Sequence, residues 1–162
     1  KKTLALKLLC ANRARNQQII ETISKAAQAG RRLLVLSERL GKHLAVLKSL
    51  FETSWDSALG QCPTTSFYIG GMSPEEYKES EKAQVIFATS QLVTEGLDIP
   101  PLDTLVLTTP LSDVEQAVGR IQRPYPGKKD PIVVDFRDDA VPICRRLGEM
   151  RWRFYKRKGW VD

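Results

Sequence analysis

Four short runs in this chain are apolar at every position: LLVL (Leu33–Leu36), VIFA (Val85–Ala88), LVL (Leu105–Leu107) and IVV (Ile132–Val134). A strand with one wet face alternates between apolar and polar residues. A strand without alternation has both faces covered, as in a parallel sheet between two layers of helices. The spacing predicts strands over Arg32–Ser37, Ser66–Ile69, Gln84–Ala88, Thr104–Thr108 and Ile132–Phe136. Helices are expected between them. One spans Asn16–Ala29 with Ile20, Ile23 and Ala27 inward, and a second lies near His43–Glu52. A third begins at Pro74, where proline's fixed φ suits a first turn. A short one covers Gln91–Glu95, and a last runs from Pro142 to Lys156. Strands alternating with helices at this spacing imply right-handed crossovers and an α/β, doubly wound, mostly parallel sheet with helices on both faces. The 162 residues suffice for one such core.

In a sheet of this kind ligands gather beyond the carboxyl ends of the strands. The unusual residues of the sequence fall at those ends. Ser37-Glu38-Arg39 follows the first strand and Gly70-Gly71-Met72 the second. Thr89-Ser90 and then Gly96-Leu97-Asp98-Ile99-Pro100 follow the third, and Thr108-Thr109-Pro110 follows the fourth. Hydroxyls, glycines, an aspartate and nearby arginines suit phosphate and sugar groups, which need backbone N–H access and forked cations.

The segment Asp113–Arg123 (DVEQAVGRIQR) carries two periodic faces. Val114, Ala117, Val118 and Ile121 form a stripe for a core, while Gln116, Arg120 and Arg123 converge on another side. Ser112 and Glu115 have the spacing of a capping box, and Pro124 ends the helix. Two arginines one turn apart suit a polyphosphate, or else a solvated basic face. From Arg145 to Lys158 there are seven basic residues against one acid, Glu149. That segment fits either nucleic-acid contact or a helix packing Ile143, Leu147, Met150 and Phe154 while its charges stay wet.

Several chemistries lack their residues. No GxxxxGK[ST] loop is present, no GxGxxG, and no Asp-Glu pair after a hydrophobic strand to hold magnesium. One histidine, His43, and three scattered cysteines, Cys10, Cys62 and Cys144, give no metal spacing and no Ser-His-Asp set. The sparse thiols suggest an intracellular, reducing compartment. No apolar run reaches the roughly 20 residues of a membrane span. The opening Lys1-Lys2-Thr3, without Met or signal pattern, reads as a piece cut from a longer protein. Arginines without a phosphate cradle suggest half of a composite site.

The motifs, in their order, resemble the second RecA-like domain of superfamily-two helicases, the domain that lacks the phosphate loop. The likeness runs from Arg31 to Phe136. RLLVLSER resembles the family's motif IV, and FYIGGMSPEE the loop and helix after it. VIFATSQLVTEGLDIP is similar to motif V, and QAVGRIQR to motif VI. The wording of YIGGM, of DVEQAVGRIQRP and of the closing RFYKRKGW resembles XPB-type repair helicases and the helicases of large DNA viruses. The transcript-release helicases of poxvirus-like and African swine fever-like viruses are the comparison it suggests.

The resemblance implies that residues 16–162 are a helicase C-terminal RecA-like domain with a basic C-terminal helix. Residues 1–15 would be a lead-in strand or linker from a preceding N-terminal RecA-like domain. Arg120 and Arg123 would be arginine fingers on ATP, with Gln116 coupling that site to the domain interface. Gly96, Asp98 and Gly119 would face the nucleotide, while ATP and Mg2+ are bound mainly by the preceding domain. Ser37, Arg39, Gly70, Gly71 and Thr89 would hold nucleic-acid phosphates, DNA in preference to RNA. The protein would be a monomer and, if viral, would act in the host cytoplasm, virus factory or virion. Ala117 stands where relatives often carry arginine, and Ser90 where many carry aspartate. The alternative is a non-catalytic nucleic-acid- or protein-binding module that kept the fold. A small-molecule enzyme has no complete catalytic set here.

Overall fold

A computed structural model describes residues 1–162. Five strands, β1 (Leu33–Ser37), β2 (Thr65–Tyr68), β3 (Val85–Thr89), β4 (Thr104–Leu107) and β5 (Ile132–Asp135), form one sheet in the order β2-β3-β1-β4-β5. All four pairings are parallel. The apolar runs explain the order. β1, β3 and β4 are almost wholly buried and occupy the middle, whereas the polar β2 and the half-wet β5 form the edges.

Two hydrophobic layers enclose the sheet. On one face Leu33, Val35, Val85, Phe87 and Val106 pack against α2 (Arg13–Gln28) and α3 (Ala45–Ser54), which supply Ile19, Ile23, Leu47 and Phe51. On the other, Leu34, Leu36, Ile86, Leu105 and Leu107 meet α5 (Ser90–Thr94), α6 (Glu115–Ile121) and α7 (Pro142–Arg157). The strand's period of two sends neighbouring residues to opposite layers, so a continuous apolar run fills both. α4 (Pro74–Ser80) covers the β2 edge. Pro74 opens it, and Ser73 and Glu76 exchange side chain-to-backbone bonds in a capping box.

Three local expectations change. Residues 2–11 form a helix, α1 (Lys2–Ala11), not a strand; its Ala5 and Leu9 pack on Cys144 of α7. The next helix begins at Arg13, so a boundary at residue 15 or 16 would cut through α2. The Ser112–Glu115 capping box does not form, because Asp113 Oδ1 accepts the Glu115 N–H at 3.0 Å. That nearer acceptor starts α6 at Glu115 and leaves it seven residues long. The predicted stripe of Val114, Ala117, Val118 and Ile121 is buried in the core.

Chain direction creates a crevice. After β1 the chain crosses toward β2, and after β4 it runs toward β5. The carboxyl ends of these adjacent strands therefore carry loops leaving in opposite directions, the usual place for a ligand in an open α/β sheet.

Candidate functional site

The β1 end is held by a buried chain of hydrogen bonds. The Arg39 N–H donates to Ser37 Oγ at 3.1 Å, and Ser37 Oγ lies 2.9 Å from His43 Nδ1. On the other side of the ring, His43 Nε2 lies 3.1 Å from Asn16 Oδ1, while Asn16 Nδ2 donates to the Cys10 carbonyl. Because that Asn16 oxygen is an acceptor, His43 is the neutral Nε2–H tautomer and Ser37 donates to Nδ1. Burial, with the Arg15 and Arg39 charges nearby, pushes the imidazole down to about 4. Ser37 is fully buried, and its hydroxyl positions the Arg39 backbone. The lone histidine and the asparagine of α2 were the parts of this chain that no motif flagged.

Arg39 follows as a half-buried residue whose side chain has no hydrogen-bond or ion-pair partner. Beside it, Glu38 receives the Lys2 ammonium of α1 at 3.0 Å, and its N–H donates to Thr109 Oγ1. Thr89, at the end of β3, is half-buried with its hydroxyl free. The Gly70-Gly71 turn after β2 is exposed, and Gly71 has φ +84°, a conformation side chains disfavour. Tyr77 of α4 donates to the Ile69 carbonyl at 2.6 Å and holds the turn. Arg39, Thr89, Gly70 and Gly71 thus lie along the β1–β3–β2 part of the carboxyl edge.

The other candidates collect along the seam where α5 and α6 pack. Its upper end opens into a cleft of about 390 Å3 lined by Glu38, Ser90, Gln91, Thr94, Asp113 and Gln116. Below it, Arg120 reaches across to the Val93 carbonyl at 3.3 Å. Its Nε is buried without a partner. Arg123 pairs with Asp98 at 3.2 Å, with both side chains roughly half exposed. Lys128 bridges the Pro100 and Arg123 carbonyls and ties the loop after α5 to the end of α6. Gly96 permits that loop with φ +107°. Gly119 is exposed, and a Cβ built on it meets nothing within 4 Å. No neighbour within the chain requires glycine there. The structure therefore brings Gln116, Arg120, Arg123 and Asp98 into one strip and places Ser37 apart from it.

No protein-family model matches the chain. It is 31% identical over 144 residues, 89% of its length, to a mimivirus protein (Acanthamoeba polyphaga mimivirus) provisionally named ATP-dependent RNA helicase L396. It is 30% identical over 100 residues, 60% of its length, to the African swine fever virus protein QP509L, provisionally named in the same way. These matches span 27% and 19% of the two viral proteins. Among solved structures, T4 UvsW superposes with a TM-score of 0.74 at 19% identity, over 96% of this chain and 35% of that one. The C-terminal domain of the DEAD-box protein Dbp5 superposes with a TM-score of 0.62 at 15% identity, over 90% of this chain and 81% of that one.

Proposed function

We propose that this chain, a RecA-like domain related in sequence to viral helicases of superfamily two, is the second motor domain of an ATP-dependent nucleic-acid helicase or translocase. The observation that carries the reading is the α5–α6 seam. Arg120, on α6, and Arg123, two residues past its end, have their charge only partly met, one by a backbone carbonyl and the other by a half-exposed carboxylate. The half-exposed Arg123 and the open space over Gly119 fit a polyphosphate approaching from outside the chain.

A preceding RecA-like domain would hold ATP and its Mg2+. The arginines would then complete the site only when the two domains close. A cation supplied in this way stabilises charge on the transferring phosphoryl group and is typically worth ~10³–10⁵ in rate. Asp98 would hold the half-exposed Arg123 until a phosphate competes for it. Gln116, in the cleft with Ser90 and Thr94, stands between this strip and the carboxyl edge, where it would sense closure. Arg39, Thr89 and the Gly70-Gly71 turn would hold nucleic-acid phosphates, so that a strand bound across both domains favours the closed state. The names of both viral relatives carry RNA, so the expected preference for DNA has no support from them. A kinship with XPB-type repair helicases rests on motif wording alone. The viral relatives support a viral source and action in infected cells.

The test uses the longer protein that contains this segment. Arg120→Ala or Arg123→Ala should reduce nucleic-acid-stimulated ATP hydrolysis by at least about a thousandfold while a fluorescent ATP analogue still binds. Hydrolysis that survives both substitutions would refute the finger assignment and favour a non-catalytic binding module.

A further inference from the structure

We infer that the outer face of α7 is a second nucleic-acid backbone surface, separate from the carboxyl edge of the sheet. The observation is a charge imbalance. Six of the chain's 25 basic residues and one of its 19 acidic residues lie on this helix. α7 therefore holds +5 of the net +6, and the rest of the chain is almost neutral.

The fold already accounts for one side of α7. Arg151 is 1% exposed and forks onto Asp135 with two bonds of 2.8 Å, while its remaining nitrogen donates to the Leu111 carbonyl. Tyr155 donates to the same carboxylate at 2.9 Å, and Leu147, Phe154 and Cys144 are buried beside it. These contacts fix the helix without any help from its outer charges. Met150, expected in the core, is exposed.

Arg145, Arg146, Arg153, Lys156 and Arg157 face water, opposed on the same helix by Glu149 alone. Arg146, Arg153 and Lys156 have no ion-pair or hydrogen-bond partner, and Arg157 only overhangs the Phe154 ring. Elsewhere cations either pair, as Lys2 does with Glu38, Lys48 with Glu52, Lys82 with Glu79 and Arg137 with Asp139, or stand apart on different helices, as Lys7, Lys25 and Lys78 do. Positions 146, 153 and 157 fall on nearly one line down the helix and span about 16 Å. That length faces several phosphates of one strand, which advance about 3.4 Å each along a duplex axis. A rigid row of unpaired cations, mostly arginine, on an otherwise neutral domain is the electrostatic footprint of a phosphate backbone. Such a surface would tether the strand independently of the nucleotide state at the α5–α6 seam.

The test is fluorescence anisotropy of a labelled oligonucleotide with the 162-residue chain, without ATP, at several salt concentrations. The triple variant R146E/R153E/R157E should bind at least about tenfold more weakly at 50 mM salt, with the slope of log K against log salt reduced by about 2–3. A control with the same change in net charge, K7E/K25E/K78E on α1, α2 and α4, should change affinity less than threefold. R146Q/R153Q/R157Q should shift affinity and slope in the same direction as the reversal, which covers the case in which the reversed variant fails to fold. Equal losses in the α7 triple and the control would overturn the inference. So would a wild-type chain that binds no oligonucleotide, or one that binds anionic vesicles and no oligonucleotide. Any of these results would leave the roles of Arg120 and Arg123 in ATP hydrolysis unaffected.

Discussion

Two arginine sites, Arg151 on α7 and the pair of Arg120 on α6 with Arg123 just past its end, use the same side chain in opposite ways. Arg151 is buried and forked onto Asp135, and a carbonyl takes its third nitrogen. Arg120 has one contact and an orphaned Nε, and Arg123 shares a half-exposed ion pair. A folded chain that leaves cations half satisfied beside a glycine with open space is poorly explained by its own stability. The difference separates an arginine that holds the domain together from the arginines that the proposed function assigns to a ligand outside it.

The largest effect should fall on Arg120 and Arg123 and on activity alone. In the longer protein, replacing both with glutamine should lower hydrolysis by at least ~10³-fold. Melting of this chain should barely respond, since Arg123 gives up an exposed pair worth about 0–1 kcal/mol and Arg120 gives up one long carbonyl contact and an unsatisfied Nε. Arg151→Met should do the reverse. It leaves the largely covered Asp135 carboxylate with only Tyr155 to answer it, a defect that costs about 3–5 kcal/mol and is read by urea unfolding of the isolated chain. A cost below about 1 kcal/mol would erase the contrast.

His43 gives the next effect. Its folded imidazole titrates near 4, against an ordinary value of 6.5. Above pH 6.5 both states are neutral and stability is flat. As pH falls below 6.5, the unfolded chain takes a proton that the folded chain refuses, so stability declines and levels off below about 4. The loss is about 3 kcal/mol. Unfolding at pH 7 and pH 4.5 measures it, and His43→Gln should remove most of the difference. The smallest effect belongs to Asp98→Asn, which frees Arg123 and should alter stability by less than about 0.5 kcal/mol.

The sheet was readable because buried strands leave continuous apolar runs, and LLVL, VIFA and LVL became the three central strands. The core stripe of α6 was readable for a similar reason. Capping was not, and the contrast is informative. Ser73–Glu76 and Ser112–Glu115 share one spacing, yet only the first forms a box, because Asp113 offers a closer acceptor in the second. α1 was unreadable because Leu4 and Leu8 are exposed while Ala5, Leu6 and Leu9 are buried, which blurs any period. For the candidate site, the motifs singled out Gln116, Arg120, Arg123 and Asp98, which the structure places along the α5–α6 seam. They could not show that Ser37 is committed to His43 and Asn16, since that chain joins residues from three separate elements.

The most direct test measures one double variant, R120Q/R123Q, on both axes. The account predicts that the 162-residue chain melts within about 2 °C of the unaltered chain while the longer protein loses at least about a thousandfold of its stimulated ATP hydrolysis. A chain that melts many degrees lower, in a longer protein that still hydrolyses ATP normally, would show that these arginines serve the fold and not the reaction.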